Sequence, residues 1–167
     1  MGARSTKRFV YITLLSAMAI ALNIFEGQLP PLPFNIRIGL ANIIALITIE
    51  ILGVKEMIIV NTMRVVIGTL MRGLFLSSTF FISLSGVALS SLVLVICHKL
   101  KCSLLFTSVC SAIAHSLGQV LFVCFLYKQP AMLAILPYLL AGSVGMGVIT
   151  GIVAREAIKR VQKNMHL

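Results

Sequence analysis

The stretch "NTMRVVIGTLMRG", residues 61–73, decides the fold class, because it has the composition of a membrane helix. It nevertheless carries two arginines, Arg64 and Arg72, which need an explanation. Across all 167 residues the chain is 59% hydrophobic and only 11% charged, with a mean hydropathy of +1.08. A soluble domain is about half apolar and about a quarter charged. A soluble core of this length cannot hide so much apolar surface, so lipid must be the solvent. The sequence therefore predicts one integral membrane domain over residues 1–167.

Six apolar spans are predicted, at about 9–25, 38–53, 57–72, 79–97, 104–127 and 131–154. Several are near or just below the roughly 20 residues that a helix needs to cross the hydrocarbon. The stretch "GQLPPLPFN" (27–35) contains three prolines, which rule out a continuous helix between the first two spans. The first run is long enough to span and is followed by others, so it is interpreted as a retained helix and not a signal peptide. We expect an all-α protein with six transmembrane helices.

The distribution of lysine and arginine predicts the orientation of these spans. With the N-terminus inside, ten basic residues fall in inner segments and three in outer connections. The inner set is Arg4, Lys7, Arg8, Lys55, Lys99, Lys101, Arg155, Lys159, Arg160 and Lys163, and the outer set is Arg37, Arg72 and Lys128. By the positive-inside rule, both termini are predicted to be cytoplasmic. The same rule accounts for the net charge of +10, so nucleic acid is not an expected partner.

Arg64 lies within the third predicted span and needs a partner, because a charge at that depth costs about 3 kcal/mol on insertion scales. Glu50 lies near the end of the preceding span, and an antiparallel turn around Gly53 would bring it toward Arg64. One hypothesis is a structural ion pair between Glu50 and Arg64. The other is that Arg64 contacts an anionic ligand, and the sequence leaves both open.

Arg72 lies at the outer end of the same predicted span, level with Arg37, and Lys128 is on the same side. Together they predict a basic mouth that gathers anions. The alternative is that the two arginines extend toward the lipid headgroups.

His115 and Gln119 are four residues apart in the fifth predicted span, so they share one face of a helix. This pattern indicates a polar pocket or a hydrogen bond between helices. Asn42 and Asn61 add polar positions on spans two and three. The candidate ligand contacts are Arg64, Arg72, His115, Gln119, Asn42 and Arg37.

Small residues at a spacing of four allow two membrane helices to approach closely. Ala17 and Ala21 have this spacing in span one, and Gly147 and Gly151 have it in span six. For both pairs, packing within the protein and docking of a partner helix remain open.

Motifs of the common catalytic classes are missing from the sequence. The chain contains no Walker motif, no HExxH and no Gly-x-Ser-x-Gly, so we expect it to hydrolyse no nucleotide itself. All four acids are glutamates, and a chain without aspartate cannot supply an Asp-rich motif that holds Mg²⁺ against a diphosphate. The four cysteines form no CxxC pair and are interpreted as packing residues. We predict no catalytic residue, no metal site and no cofactor.

Two stretches resemble a known bacterial membrane family. They are "IGLANIIALITIEILGVKEMIIVNTMRVVIGTLMRGLFLSSTFFISLSG" (38–86), with "RVVIGTLMRG" as its most specific part, and "AIAHSLGQ" (112–119). Over roughly residues 36–155 the chain resembles the Gx transporter family, which is also labelled heptaprenyl diphosphate synthase component I. That family looks related to the substrate-binding S components of energy-coupling factor (ECF) transporters.

The resemblance implies a multi-pass protein of the bacterial cytoplasmic membrane that captures a small molecule from outside. It implies partners as well, an ECF-type transmembrane coupling subunit and ATPases, with Ala17 and Ala21 matching the docking motif on helix one of S components. We expect an S-component-like subunit and not an enzyme. Its ligand is a small molecule, which is an anion if Arg64 contacts it. Two alternatives remain: an accessory membrane subunit of a polyprenyl (heptaprenyl) diphosphate synthase, and a membrane scaffold for a flavin-linked or redox complex.

Overall fold

The computed structural model describes residues 3–28, 40–128 and 130–164, and these residues are entirely helical apart from short turns. The helices are α1 (Ala3–Gln28), α2 (Leu40–Ile51), α3 (Val54–Met71), α4 (Ser78–Lys99), α5 (Leu104–Tyr127) and α6 (Leu136–Asn164), with a 3-10 helix (Pro130–Ile135) before α6. Within these residues the expected all-α class is confirmed, and six α-helices are present. α1 ends at Gln28, just before the prolines, and residues 29–39 lie outside the described part.

The sixth helix differs most from its predicted span. The span 131–154 was expected to be one apolar helix, but its first residues form the 3-10 helix, and α6 then continues to Asn164. Pro137 explains the late start, because a proline lacks the N–H of a helix interior and fits only the first turn. The C-terminal extension is polar on its outer face, while Ala154 and Ile158 remain buried against the bundle.

Four helices, α1, α4, α5 and α6, are long and apolar enough to cross a membrane, which indicates a multi-pass membrane protein. α2 has 12 residues and is only about 18 Å long, against a hydrocarbon core of about 30 Å. α3 has 18 residues but includes Lys55, Glu56 and Arg64. Crossing by α2 and α3, and the cytoplasmic position of both termini, remain predictions.

The short helix α2 forms the centre of the larger hydrophobic core. Every residue from Ile44 to Ile49 is buried, since apolar residues occupy all faces of this helix. Neighbouring helices cover it with Ala19, Met57, Val60, Leu94, Ala154 and Ile158. Because protein and not lipid surrounds α2, it does not need the length of a lipid-exposed helix.

Contacts at both ends show that α1 and α3 run parallel, with α2 returning between them. Near their beginnings, Arg8 of α1 forms an ion pair with Glu56 of α3. Near their other ends, Asn23 of α1 packs on Gly68 of α3, where an added Cβ would lie 2.9 Å from the Asn23 Oδ1. The C-terminal ends of α1 and α3 therefore meet the N-terminal end of α2 at one end of the bundle.

Helices α4, α5 and α6 pack backbone against backbone through glycines. A Cβ on Gly118 of α5 would lie 2.9 Å from the carbonyl oxygen of Ser85 in α4, and the Ser85 Oγ donates to the Gly118 carbonyl at 3.1 Å. On the other face of α5, a Cβ on Gly147 of α6 would lie 2.8 Å from the Cα of Val109. The predicted small-residue pair on α6 is thus used for packing within the protein.

Candidate functional site

A polar cavity lies at the end of the bundle where α1, α3 and α5 finish and α2 and α4 begin. Its volume is about 30 Å³, which is room for about two water molecules. The polar side chains that line it are Asn23, Glu26, Asn42, Arg64, Thr69, Ser83, His115 and Gln119, and the apolar ones are Ala41, Val65 and Val87. Four of the six candidate ligand contacts, Asn42, Arg64, His115 and Gln119, therefore come together at one cavity.

Arg64 is the central cation of this cavity. It is 2% exposed, and its Nη1 donates to the Oδ1 of Asn42 at 3.2 Å. Its Nε is buried and makes no hydrogen bond to the described part of the protein. The carboxylate of Glu26 lines the same cavity and interacts electrostatically with Arg64. One strong donor of Arg64 is thus buried beside the cavity without a hydrogen bond in the described structure.

The expected ion pair between Glu50 and Arg64 is wrong. Glu50 is exposed and lies 3.5 Å from the Nδ1 of His98 at the far end of α4. Glu50 is three residues before Gly53 and Arg64 is eleven after it, so the two are about 12 Å apart along antiparallel helices. Asn42, eleven residues before Gly53, is level with Arg64 and is the residue it contacts.

His115 and Gln119 reach the cavity because α4 has a glycine opposite them. A Cβ on Gly86 would lie 2.7 Å from the Cγ of Gln119 and 3.0 Å from the carbonyl oxygen of His115. Both side chains lie half-buried between α4 and α5 and line the cavity. The four-residue spacing noted in the sequence places them on the face of α5 that α4 covers.

Ser83 and Glu26 are cavity residues that the sequence reasoning missed. The Oγ of Ser83 is buried and has no hydrogen-bond partner in the described structure, although the residue is 8% exposed and lines the cavity. Thr69 lines the cavity too, but its hydroxyl already donates to the Val65 carbonyl at 2.6 Å. The signal for Glu26 was available: it is one of only four acids and lies just before the proline-rich connection.

The predicted basic mouth is only partly described. Arg72 is half-buried and donates from its Nε to the Gly68 carbonyl at 3.3 Å, while its guanidinium lies over Gly27, where a Cβ would clash with it. Arg72 is adjacent to the cavity but does not line it. Lys128 is exposed at the end of α5 in a left-handed conformation. Arg37 lies outside the described residues.

The surface of α1 leaves its small-residue pair uncovered. Ala17 and Ala21 are both exposed, with Leu14, Met18 and Phe25 exposed beside them. These five side chains do not contribute to the packing of the bundle.

The cavity is lined by charged, polar and apolar groups. One guanidinium, one carboxylate, an imidazole and three amides surround a small space with an apolar wall. Within residues 3–28, 40–128 and 130–164, no group of three or more histidines, cysteines or acids is arranged to hold a metal ion. The described cysteines are all free thiols, and Cys97 is buried.

Comparison with protein-family models gives a match over most of the chain. A family model described as "Heptaprenyl diphosphate synthase component I" matches residues 15–157, which is most of the chain. The resemblance drawn from the sequence is confirmed, and the match extends further toward the N-terminus, into α1. No curated protein and no solved structure matches the chain.

Proposed function

Because the chain belongs to the heptaprenyl diphosphate synthase component I family, we propose that it acts as a membrane subunit that binds a small polar molecule. The binding site is the cavity around Arg64, and uptake is driven by partner ATPases. The chain supplies recognition only, since no nucleotide motif occurs in its sequence. This is the function of an S-component-like transport protein, not of an enzyme.

The observation that carries the proposal is a pair of buried polar atoms without a hydrogen-bond partner in the described structure, on two residues that line the cavity. The Nε of Arg64 and the Oγ of Ser83 make no hydrogen bond to the described protein, and both residues line the cavity. A buried polar group left unsatisfied costs about 1–3 kcal/mol. Such groups in a native structure call for an explanation, and a ligand that accepts from Arg64 and bonds to Ser83 supplies one.

The position of the cavity supports uptake from outside. It lies at the end of the bundle opposite the contact of Arg8 with Glu56. In the orientation predicted from the basic residues, that opposite end is the outer one. A ligand would enter between the end of α1 and the ends of α3 and α5, and the present volume means that these ends must separate to admit it.

The partner surface in this proposal is the uncovered face of α1. Ala17 and Ala21 are exposed and present no bulk, so a helix of a coupling subunit can approach closely there. Ala17→Leu and Ala21→Leu, singly or together, should reduce co-purification of the membrane partner and its ATPases. Ala141→Leu, an exposed alanine on α6, is the matched control and should have no effect. Full recovery of the partner by the double leucine variant would contradict this docking surface.

Mass spectrometry of molecules that co-purify with the protein tests the binding function. The wild-type protein should release a compound that Arg64→Gln no longer holds and Ser83→Ala holds less well. Two controls are matched: Arg155→Gln removes an exposed arginine, and Ser111→Ala removes a buried hydroxyl that also lacks a partner but does not line the cavity. Equal amounts of every bound compound in wild type and Ser83→Ala would overturn the assignment of this cavity.

The family description favours a second candidate, an accessory membrane subunit of a polyprenyl diphosphate synthase. In that role the chain would recruit a soluble, Asp-rich synthase subunit, because its own sequence contains no aspartate. Affinity purification from membranes discriminates between the two: ATPases and a coupling protein favour transport, whereas a soluble prenyl synthase favours the accessory role. Recovery of flavoproteins instead would favour a scaffold for a redox complex.

A further inference from the structure

We propose that Cys97 and Cys102 form a redox-active thiol pair, which a low-molecular-weight disulfide converts reversibly into a disulfide bond within the chain. The pair lies where α4 ends and the connection to α5 begins, and neither residue lines the cavity around Arg64. The inference is independent of the proposed binding function. It gives a chemical role to two cysteines for which the sequence suggested only packing.

The end of α4 brings the two cysteines together through its backbone. The N–H of Cys102 donates to the Cys97 carbonyl at 3.0 Å, and the N–H of Lys101 donates to the His98 carbonyl at 3.1 Å. Lys101 has a φ of 54°, in the left-handed region. These two hydrogen bonds and the left-handed residue make up a Schellman motif. In that motif the side chains at the two ends of the longer bond commonly pack together, and here both are cysteines.

The separation of the two cysteines suits a disulfide. With standard backbone dimensions, the hydrogen bond between them keeps their Cα atoms at most about 7 Å apart. A disulfide needs a Cα separation of about 4.4–6.8 Å, so the bond can form with little movement of the backbone. The Cys97 thiol has a side-chain hydrogen bond with Cys102, whereas its interaction with Cys110 is only electrostatic. Cys102 and not Cys110 is therefore the partner of Cys97.

The two thiols differ in exposure, which sets the order of the reaction. Cys97 is 6% exposed, whereas Cys102 is only half-buried. The thiolate of Cys102 attacks one sulfur of the small disulfide, whose S–S bond breaks, and one thiolate leaves and takes up a proton. Cys97 then loses its proton and attacks the Cys102 sulfur of the mixed disulfide, which releases the second thiolate to be protonated in turn. In total the two cysteines lose two electrons and two protons, and the small disulfide gains them as two thiols.

The surroundings of the pair suit exchange with a small, anionic disulfide. Lys99 and Lys101, which lie between the two cysteines along the chain, are both exposed and attract anions. Both lysines belong to a segment that is predicted to be cytoplasmic. Disulfides in that compartment are mostly transient and serve catalysis or redox sensing. We therefore expect free thiols to be the resting form and the disulfide to appear under oxidising conditions.

Tryptic digestion and mass spectrometry test for this bond in the purified full chain in nanodiscs. Trypsin cleaves after Lys99 and Lys101 and so separates Cys97 from Cys102, and only a disulfide keeps their peptides joined. The protein is equilibrated with glutathione disulfide and glutathione at set ratios, quenched in acid, alkylated and digested. We expect joined peptides that separate on reduction.

The same measurement on the unfolded chain shows whether the fold prepares the pair. A disulfide that the native geometry accommodates is favoured by folding, because it stabilises the folded state relative to the unfolded one. The folded protein should therefore be half oxidised at a ratio of glutathione disulfide to glutathione about tenfold or more below that of the chain unfolded in dodecyl sulfate and urea.

Four single variants identify the two cysteines. Cys97→Ser and Cys102→Ser should each abolish the joined peptides. Cys110→Ser and Cys124→Ser are the matched controls and should leave the ratio at half oxidation unchanged. Cys102, Cys110 and Cys124 lie on one tryptic peptide, so these variants also show which of its thiols makes the link.

The wild-type measurement needs no variant, so it stands even if a substitution unfolds the protein. The proposal is overturned if the folded wild-type protein yields no joined peptides at any ratio, or yields them no more readily than the unfolded chain. Joined peptides that persist in Cys102→Ser would overturn it as well, because another thiol would then be the partner of Cys97.

Discussion

Two glycines on α6, Gly145 and Gly147, are expected to respond in opposite directions to the same substitution. Gly145 is exposed, and a Cβ added there would have nothing within 4 Å. Gly147 is buried, and a Cβ there would lie 2.8 Å from the Cα of Val109 and 3.3 Å from the Cβ of Ala112. The obstruction is backbone of α5, so it cannot be relieved by a rotamer change. The carbonyl of Gly147 also accepts from the Oγ of Ser108 at 2.7 Å, and this bond would lengthen if α5 and α6 separated.

The difference between the two variants can be estimated from these contacts. In a helix interior, either change to alanine gains about 0.8–1.0 kcal/mol in backbone propensity. Overpacking a tight contact costs about 1–3 kcal/mol, and only Gly147→Ala meets that cost. The free energy of unfolding should therefore differ by about 1–3 kcal/mol. For a chain of this size, 1 kcal/mol corresponds to roughly 2–4 °C, so the midpoints should differ by roughly 2–12 °C.

The assay is thermal unfolding of both purified variants and the wild type in the same detergent, with a thiol-reactive dye as reporter. Gly145→Ala should melt at or slightly above the wild-type midpoint, and Gly147→Ala clearly below it. If Gly147→Ala melts as high as Gly145→Ala, the close approach of α5 and α6 is not present in the folded protein. The explanation of the α6 glycines as internal packing residues would then be refuted.

Three other predictions concern the ion pair of Arg8 with Glu56, the exposed carboxylate of Glu50 and the membrane topology. Arg8→Gln should lower the unfolding midpoint, because it leaves the buried carboxylate of Glu56 unpaired at a cost of about 1–3 kcal/mol. Adding Glu56→Gln should recover most of the loss. If the double variant shows no recovery, the ion pair between Arg8 and Glu56 is contradicted. Glu50→Gln should change neither stability nor bound compounds, since this carboxylate is exposed and far from the cavity; a loss of the co-purified compound would contradict that. Single cysteines placed at Lys128 and at Ser103 of an otherwise cysteine-free chain test the predicted topology in intact cells. An impermeant thiol reagent should label the cysteine at Lys128, which is predicted to lie outside, and not the one at Ser103, which is predicted to lie inside. The reverse pattern would contradict the predicted topology.

Most of the helices could be predicted from hydrophobic runs, because each long lipid-facing segment must be apolar along its whole length. α5 agrees with its predicted span at both ends, and α4 within two residues. The 3-10 segment before α6 could not be predicted in this way, because it is as apolar as the helix that follows. Its sequence signal was Pro137, which the hydropathy pattern ignores.

The candidate site was half predictable for a similar reason. Polar residues inside apolar runs are conspicuous, and Asn42, Arg64, His115 and Gln119 were found on that basis and do meet at the cavity. The predicted partner of Arg64 is wrong because Glu50 lies close to the turn along the chain but not at the same position as Arg64 along the helix axis. Counting residues from Gly53 on both helices would have paired Arg64 with Asn42. Ser83 gave no signal, since a lone serine in a membrane helix is common and its burial depends on α3 and α5.

The sequence alone determines that this is a helical membrane protein with an arginine inside an apolar segment. The reason is that transfer between water and lipid acts on each segment separately. Which polar groups face one another does not follow in that way. It depends on the rotation and axial shift of each helix, and these are set by close contacts such as Gly118 on Ser85 and Asn23 on Gly68. Those contacts join residues more than 30 positions apart, so the cavity, its polar lining and its two unsatisfied donors exist only once the bundle has packed.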